Sequence, residues 1–275
     1  MDLVVFDLDG TLLNANSEVS PYTRDTLRLL SEQGILYTVA TGRALHGARD
    51  VIAGHPFTLP QVFKNGVMIW SPATEGYSHH THLSLDDLRH VLEAMLSQGV
   101  TAFLFTLEPG DEHAVYHQPL KTDYERDLAE NYLARNGVRV EPVAALPAAA
   151  EISNISALGP ESAVDRVAQL IADEPGLIAY AGPAIEGDDL WWIDIHHIEA
   201  SKGNAVQVLR EELGISRVVC FGDSDNDLSM FQIADEAYAP KNARDDVKAL
   251  ATAVIGHHDE DGIARFLRER FNLSA

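Results

Sequence analysis

Leu3-Val4-Val5-Phe6-Asp7-Leu8-Asp9-Gly10-Thr11-Leu12-Leu13 opens the chain with four apolar residues that run straight into two acids. Leu3–Phe6 reads as a short strand buried on both faces. Side chains two apart on extended backbone share a side, so Asp7 and Asp9 are expected to approach one spot at the strand's carboxyl end. Gly10 lets the chain turn there. Two acids so placed are unfavourable unless a cation sits between them. A solvated Asp-Gly turn fits this stretch equally well, so its neighbours must decide.

Outward from it, the pattern repeats. Ser20 caps and Pro21 starts a helix that carries Leu27 and Leu30 and stops at Gly34. Ile35–Ala40 is a second buried strand, ending in Thr41-Gly42-Arg43. Ala44–Ala53 is helical, and Gln61-Val62-Phe63 is a third strand, followed by Lys64-Asn65-Gly66. Strand–helix–strand spacing of this kind predicts parallel βαβ units. In such sheets ligands bind beyond the carboxyl ends of the strands, where Asp7, Asp9, Thr41, Arg43 and Asn65 all fall.

From Val67 to His82 the pattern is a hairpin, and the middle of the chain then changes character. A helix over 85–96 carries Leu85, Leu88, Leu92 and Leu96 on one face. Paired strands flank Pro109-Gly110-Asp111, and a helix is expected over 123–135. Further strands and a helix run to His196. We read residues 83–189 as an inserted α+β domain, with 1–82 and 190–275 forming one α/β core. In the last third, Ser201–Leu213 is helical. Arg217–Phe221 is a strand that runs into Gly222-Asp223-Ser224-Asp225-Asn226-Asp227.

The chain has 275 residues, 46% of them hydrophobic, with 20 basic and 42 acidic side chains and a net charge of −22. That balance argues against nucleic acid or an anionic membrane as partner, since phosphate surfaces demand clustered Lys and Arg. The lone Cys220 excludes an internal disulfide and a cysteine-based zinc site, and its apolar neighbours make it a buried hydrophobe. No apolar run approaches a membrane span and no leader-like segment opens the sequence, so a cytoplasmic protein is expected.

Four strand-end elements, Asp7/Asp9, Thr41, Lys202 and Asp223/Asp227, make a consistent site for moving a phosphoryl group. Asp7 and Asp223 supply hard oxygen ligands suited to Mg²⁺. An ionised Asp7 can attack phosphorus, and Asp9 can serve as proton donor and then base. Thr41 offers a hydroxyl and a backbone N–H to phosphate, and Lys202 balances the charge.

Asp7-Leu8-Asp9-Gly10-Thr11, Thr41-Gly42-Arg43, Ser201-Lys202-Gly203 and Gly222–Asp227 together resemble the four motifs of the haloacid dehalogenase (HAD) superfamily. The insert resembles the C2-type cap of its Cof-like, class IIB phosphatases. Asn65-Gly66 and Pro240-Lys241-Asn242-Ala243 match smaller signatures, with Pro240-Lys241 in place of the usual Met-Gly. The resemblance implies a doubly wound, parallel-sheet, Rossmann-like α/β core with an inserted α+β cap. It implies a Mg²⁺-dependent phosphatase that acts on a small phosphorylated metabolite through an aspartyl-phosphate.

Asp7 matches the nucleophile, Asp9 the acid/base whose carbonyl also reaches the metal, Thr41 the phosphate binder and Lys202 the motif lysine. Asp223 and Asp227 stand on the metal side with Asp7 and Asp9. Gly42, Arg43, Asn65, Gly66, Asn226 and Asn242 are the expected substrate-binding residues. A phosphomutase acting on sugar phosphates is the alternative, and a non-catalytic phosphometabolite-binding regulator a further one. The sequence between Leu83 and Leu190 has six basic and nineteen acidic residues, which favours a neutral leaving group such as a sugar.

The remaining histidines, His79-His80, His82, His196-His197 and His257-His258, are read as structural or solvent-facing. Adjacent histidines on a strand point to opposite faces and do not share an ion.

Overall fold

In β1 (Asp2–Phe6) every residue after Asp2 is buried. Leu3 and Val5 enter one apolar cluster while Val4 and Phe6 enter another, as expected of a strand covered on both faces. The structure, a computed structural model, describes residues 1–109, 112–133, 138–184 and 189–273. The chain divides into two compact units, Met1–His79 with Ala200–Ala275, and His80–Glu199.

In the first unit β1 stops pairing at Phe6, and the chain turns through Leu8–Leu12 with Gly10 at φ 73°. α1 (Pro21–Glu32) follows, its first turn capped by the Ser20 hydroxyl, which accepts the Thr23 N–H at 3.0 Å. Next come β2 (Leu36–Val39), α2 (Leu45–Ile52) and β3 (Gln61–Phe63). β3 touches the parallel sheet through a single bridge, Ala40 to Val62. It is expected as a third parallel strand, and instead forms an antiparallel three-stranded sheet with β4 (Met68–Ser71) and β5 (Gly76–His80).

The second unit holds α3 (Leu85–Ser97), β6 (Phe103–Glu108), β7 (Glu112–His117), α4 (Asp123–Asp127), β8 (Arg139–Pro142), β9 (Glu151–Pro160), α5 (Glu161–Ile171), β10 (Leu177–Pro183) and β11 (Leu190–His197). They build a six-stranded sheet in the order β10-β11-β9-β6-β7-β8, antiparallel apart from the β7–β8 pair. α3 and α5 supply Val91, Met95, Val164, Val167 and Ile171 to the core beneath one face.

The leucine stripe of α3 packs inward only at its centre, where Leu88 and Leu92 lie partly buried against the core. Leu85 is 85% and Leu96 65% exposed, while Val91, Ala94 and Met95 face inward, because the helix is rotated toward the β-branched and small residues that fit the sheet. β11 runs over Leu190–His197 within this sheet, so the unit extends past the position 189 assigned from sequence. The Pro109-Gly110-Asp111 turn and the end of the helix expected over 123–135 lie partly outside the described residues.

The chain then returns to the first unit through α6 (Lys202–Glu212), β12 (Arg217–Phe221), α7 (Leu228–Ile233), β13 (Glu236–Pro240), α8 (Asp245–Leu250), β14 (Ala253–Ile255) and α9 (Gly262–Arg270). The sheet order is β14-β13-β12-β1-β2, parallel throughout. α1, α2 and α9 contribute Leu27, Leu45 and Leu267 to one face, and α6, α7 and α8 contribute Val206, Met230 and Val247 to the other. This is a doubly wound sheet. Its strand order reverses between β1 and β12, the crevice where such folds bind ligands, and Asp7 and Asp223 leave from those two strands. Cys220 is buried in β12, and burial pushes its thiol pKa up. Among the described residues no helix is long and apolar enough to cross a membrane.

Candidate active site

Lys202 is the first residue of α6 and is fully buried. Its Nζ donates to Asp7 Oδ1 at 2.6 Å and to Asp227 Oδ1 at 2.7 Å. Burial alone would lower its pKa, but Asp227 and Asp7 outweigh that and raise it, so Lys202 stays an ammonium. The backbone holding it is clamped by glycines. A Cβ on Gly66, at φ 100°, would lie 2.2 Å from the Ser201 carbonyl oxygen, and one on Gly203 would lie 2.3 Å from that of Ser229. These contacts are backbone to backbone, so no side-chain rotation relieves them. Gly66→Ala is expected to destabilise the protein by at least about 2–3 kcal/mol, combining overpacking with left-handed strain. Equilibrium denaturation would measure that loss.

Asp7 is 5% exposed. Burial raises its pKa well above the ordinary carboxylate range, Asp227 and Asp223 reinforce the rise, and Lys202 opposes it. Asp223 is pushed up to about 6, by burial first and then by Asp227. Thr11 Oγ1 donates to Asp223 Oδ1 at 2.8 Å. A Cβ on Gly10 would meet Asp223 Oδ2 at 2.5 Å, so only glycine lets the loop after β1 pass this carboxylate. Oxygens of Asp7, Asp223 and Asp227 lie within 4.8 Å of one another.

Three acids face one ammonium here, and two of them are held back from ionising. That is the donor set and charge deficit a hard divalent cation fits. Both Asp227 oxygens are already engaged, one by Lys202 and the other by the N–H groups of Asp223 (2.8 Å) and Ser224 (3.0 Å). Asp7 and Asp223 therefore remain as the pair to hold a metal, with Asp227 positioning both Lys202 and the loop after β12.

Asp9 does not share Asp7's spot. Its side chain is 54% exposed, and its carboxylate accepts Arg43 Nε at 2.7 Å and Nη2 at 2.6 Å, a two-pronged ion pair. The turn through Leu8–Leu12 breaks the strand alternation that would have aligned the two acids. Asp9 therefore enters the acidic group, if at all, only through its backbone.

Thr41 is buried. Its N–H donates to the Val62 carbonyl at 3.0 Å, so only its hydroxyl is available, and that oxygen accepts the Arg43 N–H at 3.1 Å. The amide expected for phosphate is thus spent on joining β3. Asn65, in the left-handed region at φ 55°, receives Asn226 Nδ2 at 2.9 Å on its Oδ1. Asn226 Oδ1 takes the Ser224 hydroxyl at 2.7 Å. Asn242 donates to the Gly10 carbonyl at 2.7 Å and accepts the His258 N–H at 3.2 Å.

Asn226 and Asn242, expected at the substrate, are thus consumed in holding the loops around it, and Gly66 is a packing contact. Among the described residues, the N–H of Gly42 and the Nδ2 of Asn65 have no hydrogen-bond partner, which leaves them to a ligand. The sequence does not single out Thr11 as the partner of Asp223. For Arg43 a salt bridge is as much expected as a substrate contact, and the structure supplies Asp9 as its partner. For Thr11 the signal was a hydroxyl beside a turn glycine; no local pattern announces the Arg43 pair.

A family model for haloacid dehalogenase-like hydrolases matches residues 4–267. The chain belongs to this family. As a HAD-like hydrolase it is 28% identical over 288 residues to the 5-amino-6-(5-phospho-D-ribitylamino)uracil phosphatase YitU of Bacillus subtilis, covering 98% of each chain. It is also 28% identical to the pyridoxal phosphate phosphatase YbhA of Escherichia coli, over 96% of this chain and 97% of that one. Among solved structures, the fold matches a haloacid dehalogenase-like hydrolase from Bacteroides thetaiotaomicron with a TM-score of 0.76 at 22% identity, over 98% and 99% of the two chains. It matches the HAD subclass IIB sugar phosphatase BT4131 with a TM-score of 0.75 at 20% identity, over the full length of both.

Proposed function

We propose that this HAD-like hydrolase is a Mg²⁺-dependent phosphatase that cleaves a small phosphorylated metabolite, a sugar phosphate above others, through an aspartyl-phosphate. The observation that carries the reading is the buried Lys202 ammonium shared by Asp7 and Asp227, with Asp223 beside them. Lys202 fixes one oxygen of Asp7 and leaves the other to attack phosphorus. A P–O bond forms to Asp7 as the bond to the leaving oxygen breaks. Asp9, carrying a proton taken up from solvent, gives it to that oxygen, then takes one from the water that opens the acyl-phosphate, which restores it for the next cycle. Arg43 must release Asp9 for this, so the ion pair at 2.6 Å holds the acid/base aside until substrate arrives. The Thr41 hydroxyl, the Gly42 N–H and Asn65 Nδ2 orient the phosphate oxygens. A Mg²⁺ ion held by Asp7 and Asp223 supplies charge neutralisation to the carboxylates and the phosphate.

The acidic 83–190 stretch favours a neutral leaving group. The two relatives named above are phosphatases of two different phosphomonoesters, so a test panel should include both beside sugar phosphates and nucleotides. Mg²⁺-dependent release of inorganic phosphate is expected. Isomerised product without free phosphate would overturn hydrolysis in favour of phosphoryl transfer.

The raised carboxyls make a second prediction. Without metal, the folded protein holds protons on Asp7 and Asp223 that the unfolded chain has lost. The contribution of Asp223 to stability is full below about pH 4 and is lost as pH rises through its folded value of about 6, and that of Asp7 is lost in the same direction. Mg²⁺ replaces those protons. The gain in Tm on adding Mg²⁺ is therefore expected to be small near pH ~5 and several-fold larger near pH ~7.5, and to disappear in Asp223→Asn. Thermal melts at paired pH values with and without Mg²⁺ read it directly.

A further inference from the structure

The second unit carries a different group of metal-ligating atoms. His80 ends β5, His82 follows two residues later, and Glu151 begins β9. His82 Nε2 lies 3.1 Å and His80 Nε2 3.8 Å from the same Glu151 oxygen. One ligand atom from each residue lies within 4.8 Å of the other two. The two imidazoles meet with their centroids 4.5 Å apart. On extended backbone, residues at i and i+2 share a side whereas neighbours do not. His79 accordingly turns elsewhere, to Glu212 at 3.5 Å.

The frame under the three side chains is fixed. The Leu83 N–H donates to the Ile152 carbonyl at 2.8 Å, so the segment 80–83 runs beside the start of β9 and keeps His82 opposite Glu151. His82 Nδ1 is buried and finds no hydrogen-bond partner, which leaves Nε2 as the side chain's one polar anchor.

From this juxtaposition we propose that His80, His82 and Glu151 bind a zinc-type divalent transition-metal ion. Two imidazole nitrogens and one carboxylate, with the remaining positions open to water, are a donor set for zinc, cobalt, nickel or copper. The same set is a poor one for Mg²⁺, which takes oxygen ligands. Ligand atoms about 2.0–2.2 Å from a tetrahedral zinc stand roughly 3.3–3.6 Å from one another, a spacing that the 3.1 and 3.8 Å contacts to Glu151 bracket. The atoms therefore need shift by no more than roughly 1.5 Å from their present separations of up to 4.8 Å. His80 and Glu151 are both exposed, so their side chains can move that far without disturbing a core. Ordinary ion pairs at the surface are the alternative, and the experiment separates the two.

Tag-free protein in saturating Mg²⁺, which fills the Asp7–Asp223 site, is titrated with Co²⁺ while its visible d–d absorption is followed. One equivalent is expected to develop a band that Zn²⁺ displaces. Asp223→Asn should keep the band. His80→Ala and the pair His80→Ala/His82→Ala should each lose Co²⁺ affinity by at least the ~10–100-fold that removal of even a supporting hydrogen bond costs at metal sites. Their Mg²⁺-dependent phosphate release should be unchanged. His80 is exposed, so its single variant will fold, and far-UV circular dichroism checks this. The proposal is overturned if wild-type protein binds no Co²⁺ under excess Mg²⁺, if the histidine variants keep the band, or if Asp223→Asn abolishes it.

Discussion

Asp7→Asn abolishes turnover, by about 10⁴-fold or more, and leaves the fold intact. The amide keeps the atom that accepts Lys202 Nζ at 2.6 Å, so the hydrogen-bond frame survives. It loses the nucleophilic oxygen, and a covalent enzyme without its nucleophile keeps only what binding and electrostatics supply. Stability should shift by no more than about 1 kcal/mol. The wild-type carboxyl is already held back from ionising by burial and by two acidic neighbours, and Lys202 retains Asp227 as counter-charge. Single-turnover phosphate release together with a thermal melt tests both halves. Retained turnover would dismiss Asp7 as the attacking group, and an unfolded variant would show that its charge, not its chemistry, is what the site requires.

Lys202→Met has the opposite signature, since both stability and activity fall. Methionine matches the length of the aliphatic stem, so the change isolates the ammonium. Removing it leaves Asp7 and Asp227 buried, close together and without a cation. Breaking one side of a buried ion network costs about 3–5 kcal/mol. Activity should drop by at least the ~10²–10³-fold typical of losing one oriented electrostatic contact. Adding Asp7→Asn to Lys202→Met should recover part of the lost stability, because it removes one of the two buried acids that then face each other without an ammonium. Denaturant titrations of the two single variants and the double variant close the cycle. Strict additivity would show that the two groups do not interact in the folded state.

The parts of the fold legible in the sequence are those governed by local chemistry. Ser20-Pro21 and Ser201 mark their helices because capping and proline geometry act within one turn. The unbroken apolar runs of β1, β2 and β12 could only be buried strands. Long-range outcomes were less visible. Nothing near Thr41 says that its amide will be taken by Val62, and nothing near Asp9 says that Arg43 will reach it from 34 positions away. Asn226 and Asn242 look like ligand contacts in sequence, whereas in space each of their amides is satisfied by a neighbouring loop. In α3 the leucines suggested the buried face, but the sheet beneath selected Val91 and Met95. The His80–His82 pair is hidden among adjacent histidines, since it is the alternate positions that share a side.

β1 stands between β2, which follows it within 40 residues, and β12, whose Phe221 pairs with Phe6. On the ribosome those two partners are separated by the whole second unit. At synthesis rates of about 5–20 residues per second, the strand that carries Asp7 waits roughly 10–40 s with one edge open. That edge can be paired only once residues 217–221 have emerged. The first strand made is thus among the last to be finished. An aspartate that would repel its neighbours is spared their company until Lys202, synthesised shortly before β12, is there to meet it.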